Sequence, residues 1–178
     1  MSDQGEIDAH IASSLRRTWA PFFGRFGRLT PPQRAAIPPI LRGDDVLLAA
    51  PTATGKTEAV CAPLVERRIA RGSDWKVLYV SPTRALVNDL YERLSPALSD
   101  LQVRVVRRTG DHHDTIPVGP SVIITTPESF DSLLCRGKTG SGVDAGHVLA
   151  NVTAVVLDEI HLASKCFLDL LLDADEIQ

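Results

Sequence analysis

The tripeptide Gly-Lys-Thr occurs twice in the 178 residues, inside AAPTATGKTEA (49–59) and inside CRGKTGSG (135–142). These three residue types can serve a nucleoside triphosphate. Glycine lets the backbone approach the phosphates, lysine offers a mobile ammonium to the β and γ groups, and the threonine hydroxyl can ligate magnesium. The chemistry needs a strand before the loop and a helix after it, because converging backbone N–H groups and a helix N-terminus supply the field that the phosphates meet. Only the first copy has both flanks: DVLLAA (45–50) reads as a strand and KTEAVCAPLVERRIA as a helix. Ala50 to Thr57 spells A-x-x-x-x-G-K-T, one residue from the Walker A pattern, with Gly55, Lys56 and Thr57 in the working positions. A tight strand-to-helix turn is the plain alternative, and the flanks favour the nucleotide. The second copy follows a helical stretch, enters the Gly-rich segment 137–147 and has Ser132 where the pattern's first glycine would stand, so it reads as an ordinary loop.

A second constellation lies at AVVLDEIH, where Asp158 and Glu159 follow an apolar strand. Carboxylates at that edge of a parallel sheet can divide the labour of γ-phosphate hydrolysis, Asp158 holding magnesium through water and Glu159 polarising the attacking water. The histidines of GDHHD (110–114) read as a solvated turn, since adjacent histidines rarely face one ion.

The elements that must position these groups alternate along the chain. Strand candidates are 45–50, 76–81, 102–107, 121–126 and 152–158; helix candidates are 8–19, 31–41, 56–70, 84–97 and 127–136. Several strands are apolar without alternation, as strands covered on both faces are, and the order predicts an α/β fold with a parallel sheet, helices on both faces and right-handed crossovers. Thr126, Pro127 and Glu128 read as N-cap, first-turn proline and early acid of a helix. Pro63 inside its helix predicts a kink or local irregularity. With 44% hydrophobic residues the chain suits a single core, and a net charge of -3 excludes a globally basic nucleic-acid binder, while the stripe Arg104, Arg107, Arg108 could still meet phosphates. Three dispersed cysteines suggest neither a zinc site nor a disulfide framework; with no signal peptide or membrane span in sight, the expectation is a cytoplasmic protein that touches no membrane.

Taken in order, LTPPQRAAI (29–37), APTATGKT (50–57), SPTRAL (81–86), TGD (109–111), TTPES (125–129) and DEIH (158–161) resemble the first RecA-like domain of superfamily 2 DExH-box helicases, closest to the large helicase-related and Ski2-like proteins. The resemblance runs from about Phe22 to Leu162 and implies a RecA-like P-loop NTPase domain over 22–178, preceded by a helical extension over 1–21. It implies ATP and magnesium as cofactors, with Gln33 reading the adenine edge, Ala50, Thr52, Ala53, Thr54, Gly55, Lys56 and Thr57 around the phosphates, and Thr57 and Asp158 serving magnesium. Lys56, Asp158 and Glu159 are the implied catalytic residues. It also implies that Pro82, Thr83, Arg84, Thr109, Gly110, Thr126 and Pro127 contact the backbone of single-stranded DNA or RNA, with His161 coupling the two sites. Phe22, Phe23 and Phe26 all compete for an aromatic stacked on the base, and none is assigned. Ala53 stands where such loops commonly carry glycine, and an alanine avoiding positive φ would shift the loop. The resemblance fades after Leu162, so the expectation is a domain incomplete at its C-terminus. Its second RecA-like partner, with the arginine fingers, would have to be supplied, and the chain alone would turn over ATP slowly and unwind nothing. The function implied is the ATP-binding half of a nucleic-acid helicase or translocase; the rival is a P-loop switch or interaction module that moves no nucleic acid.

Overall fold

A computed structural model describes residues 3–72, 74–138 and 151–159. These residues form six helices and four strands: α1 (Asp3–Ser14), α2 (Trp19–Phe23), α3 (Pro31–Arg42), α4 (Lys56–Ile69), β1 (Lys76–Val80), α5 (Arg84–Ser99), β2 (Arg104–Arg108), β3 (Ser121–Thr125), α6 (Pro127–Lys138) and β4 (Val152–Leu157). The chain divides into two compact units, one of residues 1–73 and 96–102, the other of residues 74–95 and 103–178.

In the first unit α3 packs against α4, α1 against α3 and α2 against α4. Its core includes Ala36, Ile40 and Ala59, flanked by Leu48, Val60 and Leu64. Phe22 and Phe23 are buried here, whereas Phe26 is exposed beneath the Arg25 guanidinium. The expected single helix over 8–19 is broken. The amides of Arg17 and Thr18 and the Thr18 hydroxyl all donate to the Glu66 carboxylate of α4, at 2.9, 2.8 and 3.0 Å, and this satisfies backbone donors that a continuing helix would have used otherwise. α4 runs unbroken through the buried Pro63.

The expected strand at 45–50 does not form. A strand persists only as part of a ladder, and among the described residues nothing pairs with this segment; Val46 and Leu47 stand 38% and 85% exposed.

The second unit holds a four-stranded sheet in the order β2-β3-β1-β4 with every pairing parallel. The two inner strands, KVLYV and SVIIT, are buried at every position, which is why their sequences show no alternation. The outer strands are partly exposed. Leu78, Val80, Val106, Ile123 and Phe130 form its core. The free edge of β2 is covered by the chain that succeeds it: Arg108 bridges His113, and the Arg107 amide donates to the Asp114 carboxylate at 2.8 Å. The GDHHD turn is therefore an edge guard rather than a free loop. No helix among the described residues is long and apolar enough to cross a membrane.

Candidate functional site

The first unit builds the loop between Ala50 and Thr57 against the start of α3. Thr30 opens α3 with a capping box, its hydroxyl accepting from the Gln33 amide at 3.4 Å while Gln33 Oε1 accepts from the Thr30 amide at 2.9 Å. Both residues also reach the loop between Ala50 and Thr57. Thr30 Oγ1 donates to the Thr54 carbonyl at 2.9 Å, and Gln33 Nε2 donates to the Gly55 carbonyl at 3.2 Å. These bonds occupy half the hydrogen-bonding capacity of the Gln33 amide. Within the loop, Thr54 Oγ1 donates to the Pro51 carbonyl at 2.8 Å, Thr52 is exposed, and Lys56 Nζ donates to the Ala50 carbonyl at 2.9 Å, folding the ammonium back across the loop.

Backbone conformation completes the loop. Gly55 takes φ +78°, and a Cβ there would collide with the Gln33 amide nitrogen. The positive φ favours glycine, and a side chain there would also displace the Gln33 amide from the Gly55 carbonyl. α4 then starts at Lys56, directly after this left-handed glycine, which has no side chain with which to cap the helix. A helix N-terminus with a lysine in its first turn carries a positive field of the kind that suits an anion of phosphate type. Ala53 corrects the sequence expectation: rather than avoiding positive φ it adopts +59°, so the loop keeps a left-handed turn and an alanine bears the strain.

The second Gly-Lys-Thr is set differently. α6 begins at Pro127, with Thr126 Oγ1 accepting from the Ser129 amide as N-cap, and runs through Gly137 to Lys138. Its Gly-Lys pair therefore ends a helix instead of starting one. Thr139 lies outside the described residues.

In the second unit the parallel register brings the remaining motif residues to one sheet edge. Val80 pairs with Thr125 and with Leu157, and Arg108 pairs with Thr125, so the four strands end level. Ser81–Arg84, Thr109–Gly110, Thr126–Pro127 and Asp158–Glu159 leave the sheet from those four strand ends. Neighbouring ends are tied: the Ser81 amide donates to the Thr125 carbonyl at 3.0 Å, Asp158 N to the Val80 carbonyl at 2.9 Å, and Thr125 Oγ1 to the Arg108 carbonyl at 2.6 Å. Pro82 is half-buried, while Thr83, Arg84 and Gly110 are exposed and Thr109 and Thr126 are buried. The Arg84 guanidinium pairs with Asp111 at 2.6 Å, both side chains mostly in solvent. Asp158 Oδ1 accepts from the Glu159 amide at 3.0 Å, and Glu159 takes φ +49°.

The arginine stripe is mostly spent internally. Arg107 lies over the Tyr91 ring at 4.1 Å and donates to Asn88 at 3.1 Å, and Arg108 donates to the Asp114 carbonyl at 3.1 Å. His161 lies outside the described residues. Lys56 and its loop belong to the first unit and Asp158 with Glu159 to the second.

Two further features of the first unit have no counterpart among the sequence motifs. Asp8 in α1 pairs bidentately with Arg34, and an open cavity of about 420 Å³ is lined by Asp8, Trp19, Gly27, Arg28 and Arg34 among others. Trp19 thus joins Phe22, Phe23 and Phe26 as an aromatic of this unit, and it stands at this open cavity. Its only sequence signal is a tryptophan eleven residues before Thr30.

Residues 30–172 match the family model of the DEAD/DEAH box helicase. The chain is 33% identical to the ATP-dependent helicase Lhr-Core protein 2 of Thermococcus barophilus, over 90% of this chain and 20% of that protein. It is 36% identical to the ATP-dependent DNA helicase Hel308 of Pyrococcus horikoshii, over 88% of this chain and 20% of that protein. A solved structure of the Mycobacterium smegmatis helicase Lhr bound to ssDNA and AMP-PNP superposes with a TM-score of 0.65 at 32% identity, covering 81% of this chain and 20% of that one. The chain thus spans about one-fifth of the length of these relatives. A capped helix holding a left-handed Gly-Lys-Thr loop, and Asp-Glu at the carboxyl edge of a parallel sheet, accord with that match, and this chain belongs to the DEAD/DEAH box helicase family.

Proposed function

We propose that this chain is the ATP-binding half of an ATP-dependent helicase or translocase acting on single-stranded nucleic acid, DNA in the first instance. The observation that carries the reading is the Gly55–Thr57 loop, where a left-handed glycine leads directly into the N-terminus of α4 and lysine folds across the loop. The choice of DNA rests on two relatives, one named a DNA helicase and one solved with ssDNA.

Bound Mg-ATP would supply the γ-phosphoryl bond whose hydrolysis drives strand movement. Lys56 would turn from the Ala50 carbonyl towards the phosphates, and the N-terminus of α4 would face their charge. Thr57 in the first unit and Asp158 in the second are the residues whose oxygens would serve magnesium, and Gln33 retains amide capacity for the adenine edge. Glu159 orients the attacking water and takes its proton. Thr83, Arg84 and Gly110 are exposed where a sugar-phosphate backbone would lie along the sheet edge, with Pro82, Thr109, Thr126 and Pro127 shaping that edge. Contacts of this kind carry little sequence preference.

The test is ATP turnover, with and without single-stranded DNA or RNA, in this chain completed by a second RecA-like domain. Stimulation by single strands is expected. Turnover that neither nucleic acid changes would favour a P-loop switch that moves no strand.

A further inference from the structure

α3 does not hold the nucleotide loop unaided. Asp8, on α1, accepts from Arg34 Nε at 2.6 Å and from Arg34 Nη2 at 3.0 Å, and also from the Leu29 amide at 3.2 Å. Leu29 and Arg34 bracket Thr30 and Gln33, the two residues bonded to the carbonyls of Thr54 and Gly55. A continuous series of hydrogen bonds therefore runs from α1, through the start of α3, to the loop. α1 has little else to fix it, since Ile11 is the buried side chain among its described residues.

A second tie leads from the same end of the chain to the helix on the other side of the loop. Arg17 and Thr18 donate to Glu66, on α4. The N-terminal segment thus bonds to both elements that flank residues 50–57. The loop needs outside support, because Ala53 sits at φ +59°, a conformation that persists only where the surroundings impose it.

We infer that Asp8 is a positioning residue for the ATP site, setting the nucleotide loop through Leu29, Arg34 and the Thr30–Gln33 cap. The inference rests on the reading of Gly55–Thr57 as the nucleotide loop. The Arg34 guanidinium holds the Asp8 carboxyl below its ordinary value against a smaller upward push from burial. A lowered carboxyl contributes above its ordinary value of about 4 and loses its contribution as pH falls through the lowered one, so the tie is intact at neutral pH.

The experiment measures Mg-ATP affinity of the 178-residue chain together with amide exchange over residues 50–57 in the nucleotide-free protein. Asp8→Asn keeps the shape and removes the charge. Arg34→Gln cuts the same pair from the other side and guards against a folding defect particular to the first variant. Each should weaken Mg-ATP binding about three- to tenfold and speed exchange over 50–57, at a temperature where circular dichroism shows the chain fully folded. Combined with Gln33→Ala, the loss should be smaller than the product of the single losses, because the two residues share one path. A lowered melting temperature with unchanged affinity and unchanged loop exchange would overturn the inference, as would fully multiplicative losses. If the parent chain binds Mg-ATP and loses it on Lys56→Ala while Asp8→Asn binds normally, the inference alone fails. A parent chain that binds no nucleotide removes the nucleotide reading and the inference together.

Discussion

At Ala53 the protein keeps an alanine where the backbone turns left-handed, at φ +59°. The strain for a non-glycine residue there is about 1 kcal/mol, and replacing it with glycine releases that strain while making the unfolded chain more flexible. Ala53→Gly should therefore change the melting temperature by no more than a few degrees and leave Mg-ATP affinity equal or better; a tenfold weaker affinity by titration would mean that the methyl group itself contacts the nucleotide. Glu159 also turns left-handed, directly after a carboxylate that accepts its amide. In a chain completed with a second RecA-like domain, Glu159→Gln should bind Mg-ATP normally and hydrolyse it at least about a hundredfold more slowly, because the water loses its base. Single-turnover kinetics would show this, and full turnover would move the base elsewhere. The motif residues could be picked out in the sequence because each belongs to a short contiguous run. Asp8 could not be, because its partners Leu29 and Arg34 lie more than twenty residues away, and neither could the place of Trp19 beside a cavity that no local pattern encodes.

Among the elements, the four strands of the sheet were readable because the inner ones carry unbroken apolar runs and all four end in motif residues. DVLLAA has the same composition and is not a strand, since β structure is a property of a pair and composition describes one member only. The break between α1 and α2 was equally hidden, because the carboxylate that causes it sits on α4. The Thr126 cap was legible because it acts three residues away, on Ser129. The start of α5 presents Arg84 at the carboxyl edge of the sheet, paired with the exposed Asp111. A phosphate must compete with that carboxylate, and the pair is weak because it stands in solvent. Arg84→Ala should lower affinity for single strands about equally across sequences and flatten the salt dependence, whereas Asp111→Asn should tighten binding. A salt series on several oligonucleotides measures both. Sequence-selective loss from Arg84→Ala would make Arg84 a reader of bases.

For the whole molecule, a net charge of -3 gives no bulk attraction for nucleic acid, and Arg107 and Arg108 are used internally, so under the proposed reading the contacts to nucleic acid would fall to the sheet edge. The central claim is that one Gly-Lys-Thr of two receives the nucleotide, and the structure separates them by helix polarity: Lys56 begins α4, and Lys138 ends α6. Positive field and uncapped amides belong to a helix start and not to its end. Titration of Mg-ATP onto the 178-residue chain, its Lys56→Ala variant and its Lys138→Ala variant tests this directly. A lysine–phosphate contact of about 1.5–3 kcal/mol corresponds to a loss of roughly ten- to a hundredfold in affinity for Lys56→Ala, with Lys138→Ala unchanged. Equal losses from the two, or a loss confined to Lys138→Ala, would contradict the assignment.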